Sequence, residues 1–376
     1  MGSSWPQAAG NRAGGVGHGH LLCARNSLLR LLPFALCLVP LALSLRPSAA
    51  DQVVANQPAS EGRPITPAGA LLMDATTWQP AVGALPVDFV RSPDARGPGG
   101  GRFLVAVNSG HGIQFNAATN KGQQSLALID LNAQPAPVVV QNIYFPSPQS
   151  ANVGVVFAPR ADADGSYTLY VAGGVENKIW LFRFQPGASP PVTPTSNGPD
   201  TKVAAPFIDV GSFADATPSP RLNANNALVY PTGLAISDDG NTLYVANNLG
   251  DSLGLVRDLR GKRKLERVPL TGQHGAGTPG EHFIYPYGVA ALPTKAYVSC
   301  WNDAAVAVVD LSGRGRRVSY VPVARHPTKL LLDAARALLY VANSNADSVS
   351  VIDTRRDIEI ERINVRLSES VPLGNS

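Results

Sequence analysis

The sequence predicts an all-β chain built from repeated four-stranded units. Three observations carry that expectation: a phrase written three times, a fixed order of strands around each copy, and a composition suited to short strands and turns. The phrase is LYVANNLGDSLGLVRDL from Leu243, AYVSCWNDAAVAVVDL from Ala296 and LYVANSNADSVSVID from Leu339. Its tyrosines, Tyr244, Tyr297 and Tyr340, are spaced 53 and 43 residues apart. Each copy reads as two apolar strands around an Asn- and Asp-rich turn, where such side chains bond their own backbone and tolerate left-handed geometry. Gly (36) and Pro (32) are abundant and only 15% of residues are charged; no stripe of 3.6-residue period follows residue 50, so long helices are not expected. Four strands per roughly 40–45 residues is the spacing of a β-propeller blade.

The other two strands of each unit flank the phrase. Before it runs a lead-in of an aromatic residue or His, then Pro, then a short apolar strand: YPTGLAIS from Tyr230, YPYGVAAL from Tyr285 and HPTKLLLD from His326. After it comes a charged, β-branched segment: KRKLERVPL from Lys262, GRRVSYVPVA from Gly315 and DIEIERINV from Asp357. Tyr230, Tyr285 and His326 are therefore expected at equivalent blade entrances. Two looser copies precede these. NVGVVFAPRADADGSYTLYVAGGVENKIWLF covers Asn152 to Phe182, with Tyr170 in the role of Tyr244; GRFLVAVNSGHGIQFNAATNKGQQSLALIDL covers Gly101 to Leu131. Five blades or partial blades result, with inserts expected at 110–124 and 185–226. The second insert is rich in Pro, Ser, Ala and Asn, a composition of loops.

Residues 1–50 differ in kind. Arg12, Arg25 and Arg30 precede the fifteen-residue apolar run Leu31 to Leu45, and Ser48, Ala49 and Ala50 then offer small residues. That order describes a secretory signal with a long n-region; the run is short for a spanning helix and holds Pro33 and Pro40. The expected location is periplasmic or extracellular, with a retained N-terminal membrane anchor as the alternative. Residues 51–85 are read as an extension leading into the propeller, which occupies 86–376. Removing the signal, with its four Arg and no acid, leaves 27 basic residues against 27 acidic ones. A formally neutral chain is not expected to bind nucleic acid in general. Cys23 and Cys37 belong to the signal, so Cys300 is left without an internal disulfide partner and reads as a buried structural thiol.

The phrases LYVANN and LYVANSNADSVSVID resemble the secreted YVTN-repeat, or YncE-like, β-propellers, over about Pro86 to Ser376. The segment VNSGHGIQFNAATNKGQQSLALIDL is similar to a branch in which the propeller precedes a phosphoesterase domain of the alkaline phosphatase type. The resemblance implies about seven blades, so five make an incomplete propeller, and INVRLSESVPLGNS looks like the prelude to another lead-in. It also implies that any metal-dependent phosphoester chemistry belongs to a further domain after residue 376.

Catalysis needs a constellation of groups, and the sequence offers none. There is no GxSxG elbow, phosphate loop, dinucleotide fingerprint or CxxCH. His274 and His282, with Glu281 between them, match no compact zinc spacing. DADG at Asp162 and DDG at Asp238 lack the further acids of a calcium loop, and DDGNT reads as a hairpin turn. Asp130, Asp310 and Asp353 end equivalent strands, a pattern of turn bonding. No catalytic residue, metal or cofactor is expected. The ligand-face candidates are His111, Gln114 and Asn116 in the first insert and Tyr230, Tyr285 and His326 at the lead-ins. The expected function is a binding or interaction module for a protein, glycan or small-molecule partner, with self-association or a further C-terminal domain at the open propeller edge; the alternative is the propeller part of a phosphoesterase.

Overall fold

A computed structural model describes residues 82–83, 85–94, 101–110, 124–196, 198, 200–211, 229–272, 283–313 and 315–366. The signal at 1–50, most of the extension at 51–85, and His111, Gln114, Asn116, His274, Glu281 and His282 lie outside them. Within them the fold is all-β, with five antiparallel blades arranged as a propeller. Blade 1 is β1 (Pro86–Arg91), β2 (Phe103–Asn108), β3 (Ser125–Asp130) and β4 (Val138–Tyr144). Blade 2 is β5 (Val155–Phe157), β6 (Tyr167–Ala172), β7 (Lys178–Phe184), β8 (Val192–Thr193) and β9 (Phe207–Asp209). Blade 3 is β10 (Pro231–Ile236), β11 (Thr242–Asn247), β12 (Ser252–Arg257) and β13 (Lys264–Pro269). Blade 4 is β14 (Pro286–Leu292), β15 (Lys295–Cys300), β16 (Ala305–Asp310) and β17 (Val318–Pro322). Blade 5 is β18 (Pro327–Asp333), β19 (Leu338–Asn343), β20 (Ser348–Asp353) and β21 (Ile358–Asn364).

Strand alternation makes each blade two-faced. Leu243 and Val245 pack with Ile179 and Ile208 of blade 2, whereas Tyr244 and Ala246 pack with Val289 and Val298 of blade 4. Four apolar clusters of this kind fill the junctions 1–2, 2–3, 3–4 and 4–5. The first strands of successive blades adjoin, which sets them nearest the axis. Glycine permits the approach: a Cβ on Gly154, Gly233 or Gly288 would overlap the carbonyl oxygen of Thr232, Tyr287 or Thr328 in the next blade. In blade 5 the same place holds Lys329, whose ammonium pairs with Asp88 of β1. Among the described residues this ion pair, and no apolar cluster, links blade 5 to blade 1.

One expectation fails. The insert at 185–226 reads as loop, yet its described part supplies β8 and β9, which together form the fourth strand position of blade 2. β8 pairs with Arg183 and Phe184, and β9 with Lys178, Ile179 and Trp180. The reason is local burial that composition averages hide: Val192 and Ile208 are both buried, and Val203 and Val210 seal the stretch between and after them. The turns at Asp239, Asp310 and Asp353 behave as read, and Asp164 forms one of the same kind. Asp164 accepts from the Ser166 N–H at 3.0 Å, Asp239 from Asn241 at 2.9 Å, Asp310 from Ser312 at 2.8 Å and Asp353 from Arg355 at 2.8 Å. Cys300 is buried, and burial pushes its thiol well above the usual range.

Candidate functional site

The strands of each blade begin and end so that one end of the propeller collects the lead-ins and the hairpins after the second strand. The other end collects the turns after the first and third strands. At the lead-in end the repeats share a backbone device. Tyr230, Tyr285 and His326 each precede the first residue of a first strand, and each has φ near +50°. Leu85, before Pro86, is a fourth copy that the sequence reading missed, because it lacks the aromatic side chain. A left-handed φ on a non-glycine residue costs about 1–3 kcal/mol and must be held by its surroundings. Here the carbonyl of each lead-in residue accepts an N–H from the residue that follows the second strand: Ser109, Asn248, Trp301 and Ser344 donate at 3.0–3.1 Å. On the other side, Asn177 Oδ1 accepts the N–H groups of Val229 and Tyr230, both at 3.0 Å. Asp251 Oδ1 accepts those of Ile284 and Tyr285, at 3.2 and 3.1 Å. A hairpin residue of blades 2 and 3 therefore fixes the lead-in of the next blade; in blade 4 the same place is held by Ala304, which offers no side-chain acceptor.

This scaffold brings two of the predicted residues together. His326 stacks face to face on Trp301 (centroids 3.9 Å apart, planes at 9°), and Tyr285 meets the same indole edge to face at 6.1 Å. Phe283 extends the row, 6.2 Å from Tyr285. All four side chains are half-buried, and His326 Nδ1 is enclosed without a hydrogen-bond partner among the described residues. Trp301 takes the place of Asn248 and Ser344, so its position in the repeat was legible while its role as the bridge between two lead-ins was not. Tyr230 occupies the same backbone position in blade 3. Burial pushes its phenol up, and burial followed by the charge of Asp88 does the same for Tyr287, so both stay neutral over the ordinary pH range. Tyr287, Tyr230, Asp88 and Lys329 make the axial side of this end a mixed aromatic and ionic surface.

The opposite end is charged instead. A cavity of about 340 Å³ between blades 3 and 4 is lined by Asp238, Asp239, Tyr244 and Arg257. Another of about 350 Å³ between blades 2 and 3 is lined by Asp162, Tyr170, Arg260 and Arg263. Among the described residues no three His, Cys, Asp or Glu side chains come together as a metal site.

No family model matches the chain, and no curated protein matches it. Solved structures show a distant similarity to it. One is a streptogramin B lyase (15% identity, TM-score 0.39), of which the chain spans 59% of the length while 60% of this chain is covered. Another is a putative 6-phosphogluconolactonase from Bacteroides fragilis (15% identity, TM-score 0.48, covering 76% of this chain and 72% of that one). A third is a periplasmic gluconolactonase from Pseudomonas aeruginosa (16% identity, TM-score 0.45, covering 70% and 68%). At these values the likeness carries no reaction or ligand over to this chain.

Proposed function

We propose that the chain is an exported binding module whose ligand face is the lead-in end. The observation that carries this reading is the half-buried row Tyr285–Trp301–His326, which joins two consecutive lead-ins. The backbone device recurs in four blades and serves the fold. Among the described residues the aromatic row occurs at one junction, so it is not needed to build a blade. Aromatic side chains supply large, rigid contact area with a polar handle, which suits recognition of a peptide, glycan or small molecule. The resemblance of the repeats to secreted YVTN-type propellers and the signal-like residues 1–50 support export.

The test is a screen of the purified chain on arrays of oligosaccharides and peptides, repeated with Trp301→Ala and His326→Ala. At least one probe should bind, and binding should weaken tenfold or more in both variants while their thermal midpoints stay close to that of the unchanged protein. Absence of any bound probe, or binding indifferent to both substitutions, would overturn the reading.

A further inference from the structure

Three blade junctions set a tyrosine of one blade against the turn that enters the outer strand of the next. The tyrosines are Tyr170, Tyr244 and Tyr297, on the second strands of blades 2, 3 and 4. Register fixes the residue that each one faces. Arg257 pairs with Lys264 and Asp353 with Ile358, and the Asp310 N–H donates to the Arg317 carbonyl. The residues just before Lys264, Arg317 and Ile358 are Arg263, Arg316 and Asp357. Their charges act on Tyr170, Tyr244 and Tyr297 respectively.

At two of these junctions the protein supplies the opposite charge. Between blades 4 and 5, Asp357 accepts from Tyr297 Oη at 2.6 Å and from Lys295 Nζ at 2.8 Å. Between blades 3 and 4, Arg316 Nε donates to Glu266 at 2.8 Å. Between blades 2 and 3 the repeat offers no such partner to Arg263. Pro206, whose carbonyl accepts the Leu181 N–H, stands where Glu266 stands opposite Leu255. Asp162 borders this junction but is exposed, and among the described residues neither Arg260 nor Arg263 makes a hydrogen bond or ion pair.

The cavity of about 350 Å³ lies at this place, with Thr168, Tyr170, Arg260 and Arg263 in its wall. Tyr170 is 6% exposed. Burial raises its phenol against the opposing charge of Arg263, so the hydroxyl keeps a proton to donate. Guanidinium forks match the oxygens of phosphate and sulfate and bind them in charge-assisted hydrogen bonds.

We propose that the cavity between blades 2 and 3 binds a phosphate or sulfate group, with Arg260 and Arg263 donating to its oxygens beside the Tyr170 hydroxyl. The group supplies the negative charge that Glu266 and Asp357 supply at the next two junctions. The site lies at the end of the propeller opposite the aromatic row, so the inference stands apart from the ligand reading above.

Amide NMR of the full chain tests it, with sodium phosphate or sodium sulfate added at constant ionic strength. The amides of Thr168, Gly261 and Arg263 should shift saturably with at least one of the two ions, and sodium chloride should not reproduce the shift. Arg263→Gln should weaken binding tenfold or more. Arg317→Gln removes an exposed cation from blade 4 and should leave it unchanged. Tyr170→Phe should weaken it about threefold or more. Phenyl phosphate then separates two sources of the group: tenfold tighter binding than inorganic phosphate assigns the cavity to an ester, and no tighter binding to the free ion. Shifts that do not saturate, that chloride reproduces, or that survive Arg263→Gln would overturn the proposal. So would equal weakening by Arg317→Gln.

Discussion

Leu270 and Val365 are the same residue of the repeat. Each follows the outer strand of its blade and donates its N–H to the left-handed Asx residue of the central hairpin. Leu270 is 4% exposed and Val365 is 56% exposed. The contrast extends along the face. Val268 is 3% exposed against 40% for Ile363, and Tyr244, Ala246 and Leu253 are buried where Tyr340, Ala342 and Val349 are half-buried. Leu331 of β18, at 67%, completes the open side, and Phe89 of β1 is exposed at the other end of the series. The two faces share the apolar pattern and the backbone bond to the left-handed Asx residue, although β20–β21 carries a bulge that β12–β13 lacks. They differ in having a following blade among the described residues. Blade sequence encodes a face that needs a neighbour, and the neighbour decides whether that face becomes core.

The largest effect should separate the two copies at this position. Leu270→Ala should cost about 2–5 kcal/mol of stability, as for buried leucines elsewhere. Val365→Ala should stay within about 0.5 kcal/mol, the range of surface changes. Chemical denaturation of both variants measures the difference, and equal costs would break the comparison.

Next in size is the axial glycine. Gly288→Ala puts a Cβ into the Thr328 carbonyl, and overpacking of this kind costs about 1–3 kcal/mol. Lys329→Gly relieves no such contact and should lower stability less, through loss of the ion pair between the exposed Lys329 ammonium and the buried Asp88 carboxylate, which keeps its bond from the Phe89 N–H. A thermal midpoint that falls no further in Gly288→Ala than in Lys329→Gly would contradict the packing account.

A smaller effect is expected from the cap. Asp251→Ala leaves two backbone N–H groups without their acceptor and should cost about 1–2 kcal/mol. Asp251→Asn should restore most of it, because Asn177 serves the same purpose in blade 2. Urea titration of the pair distinguishes a hydrogen-bond role from a charge role.

The smallest effect is one of pH. Glu266 on β13 accepts from Arg316 Nε at 2.8 Å and from Arg257 Nε at 2.9 Å, and the Arg316 bond in particular holds its carboxyl below the ordinary value of 4.5. A lowered folded-state pKa means that this stabilisation is complete above the ordinary value and fades as pH falls through the folded one. The group is partly exposed, so solvent and salt weaken it. Between pH 7 and 3 the thermal midpoint of the unchanged protein should fall more than that of Glu266→Gln. A parallel fall in both would show that the bridge between blades 3 and 4 contributes nothing.

The blade framework was legible because it is periodic. Tyr170, Tyr244, Tyr297 and Tyr340 sit at one register position, and the Pro that opens β10, β14 and β18 was visible three times. What escaped was aperiodic. β8 and β9 hide in a Pro-rich segment because only Val192 and Ile208, with their immediate neighbours, are apolar at the pairing positions. Leu85 escaped because its shared feature is a backbone angle, which its side chain does not advertise. Of the candidate site, Tyr230, Tyr285 and His326 were found from the repeat. Trp301 was not, since its role depends on two lead-ins 41 residues apart in sequence meeting across one junction.

Native-state amide hydrogen exchange of β13 against β21 tests the central comparison most directly. Both are outer strands at the same place in their blades, so edge effects cancel. The account predicts that Lys264–Pro269 opens only with blades 3 and 4 together, and that Ile358–Asn364 exchanges through local opening well before it. Equal protection of the two strands would mean that the far face of blade 5 is covered as fully as that of blade 3, and the contrast drawn between them would be wrong.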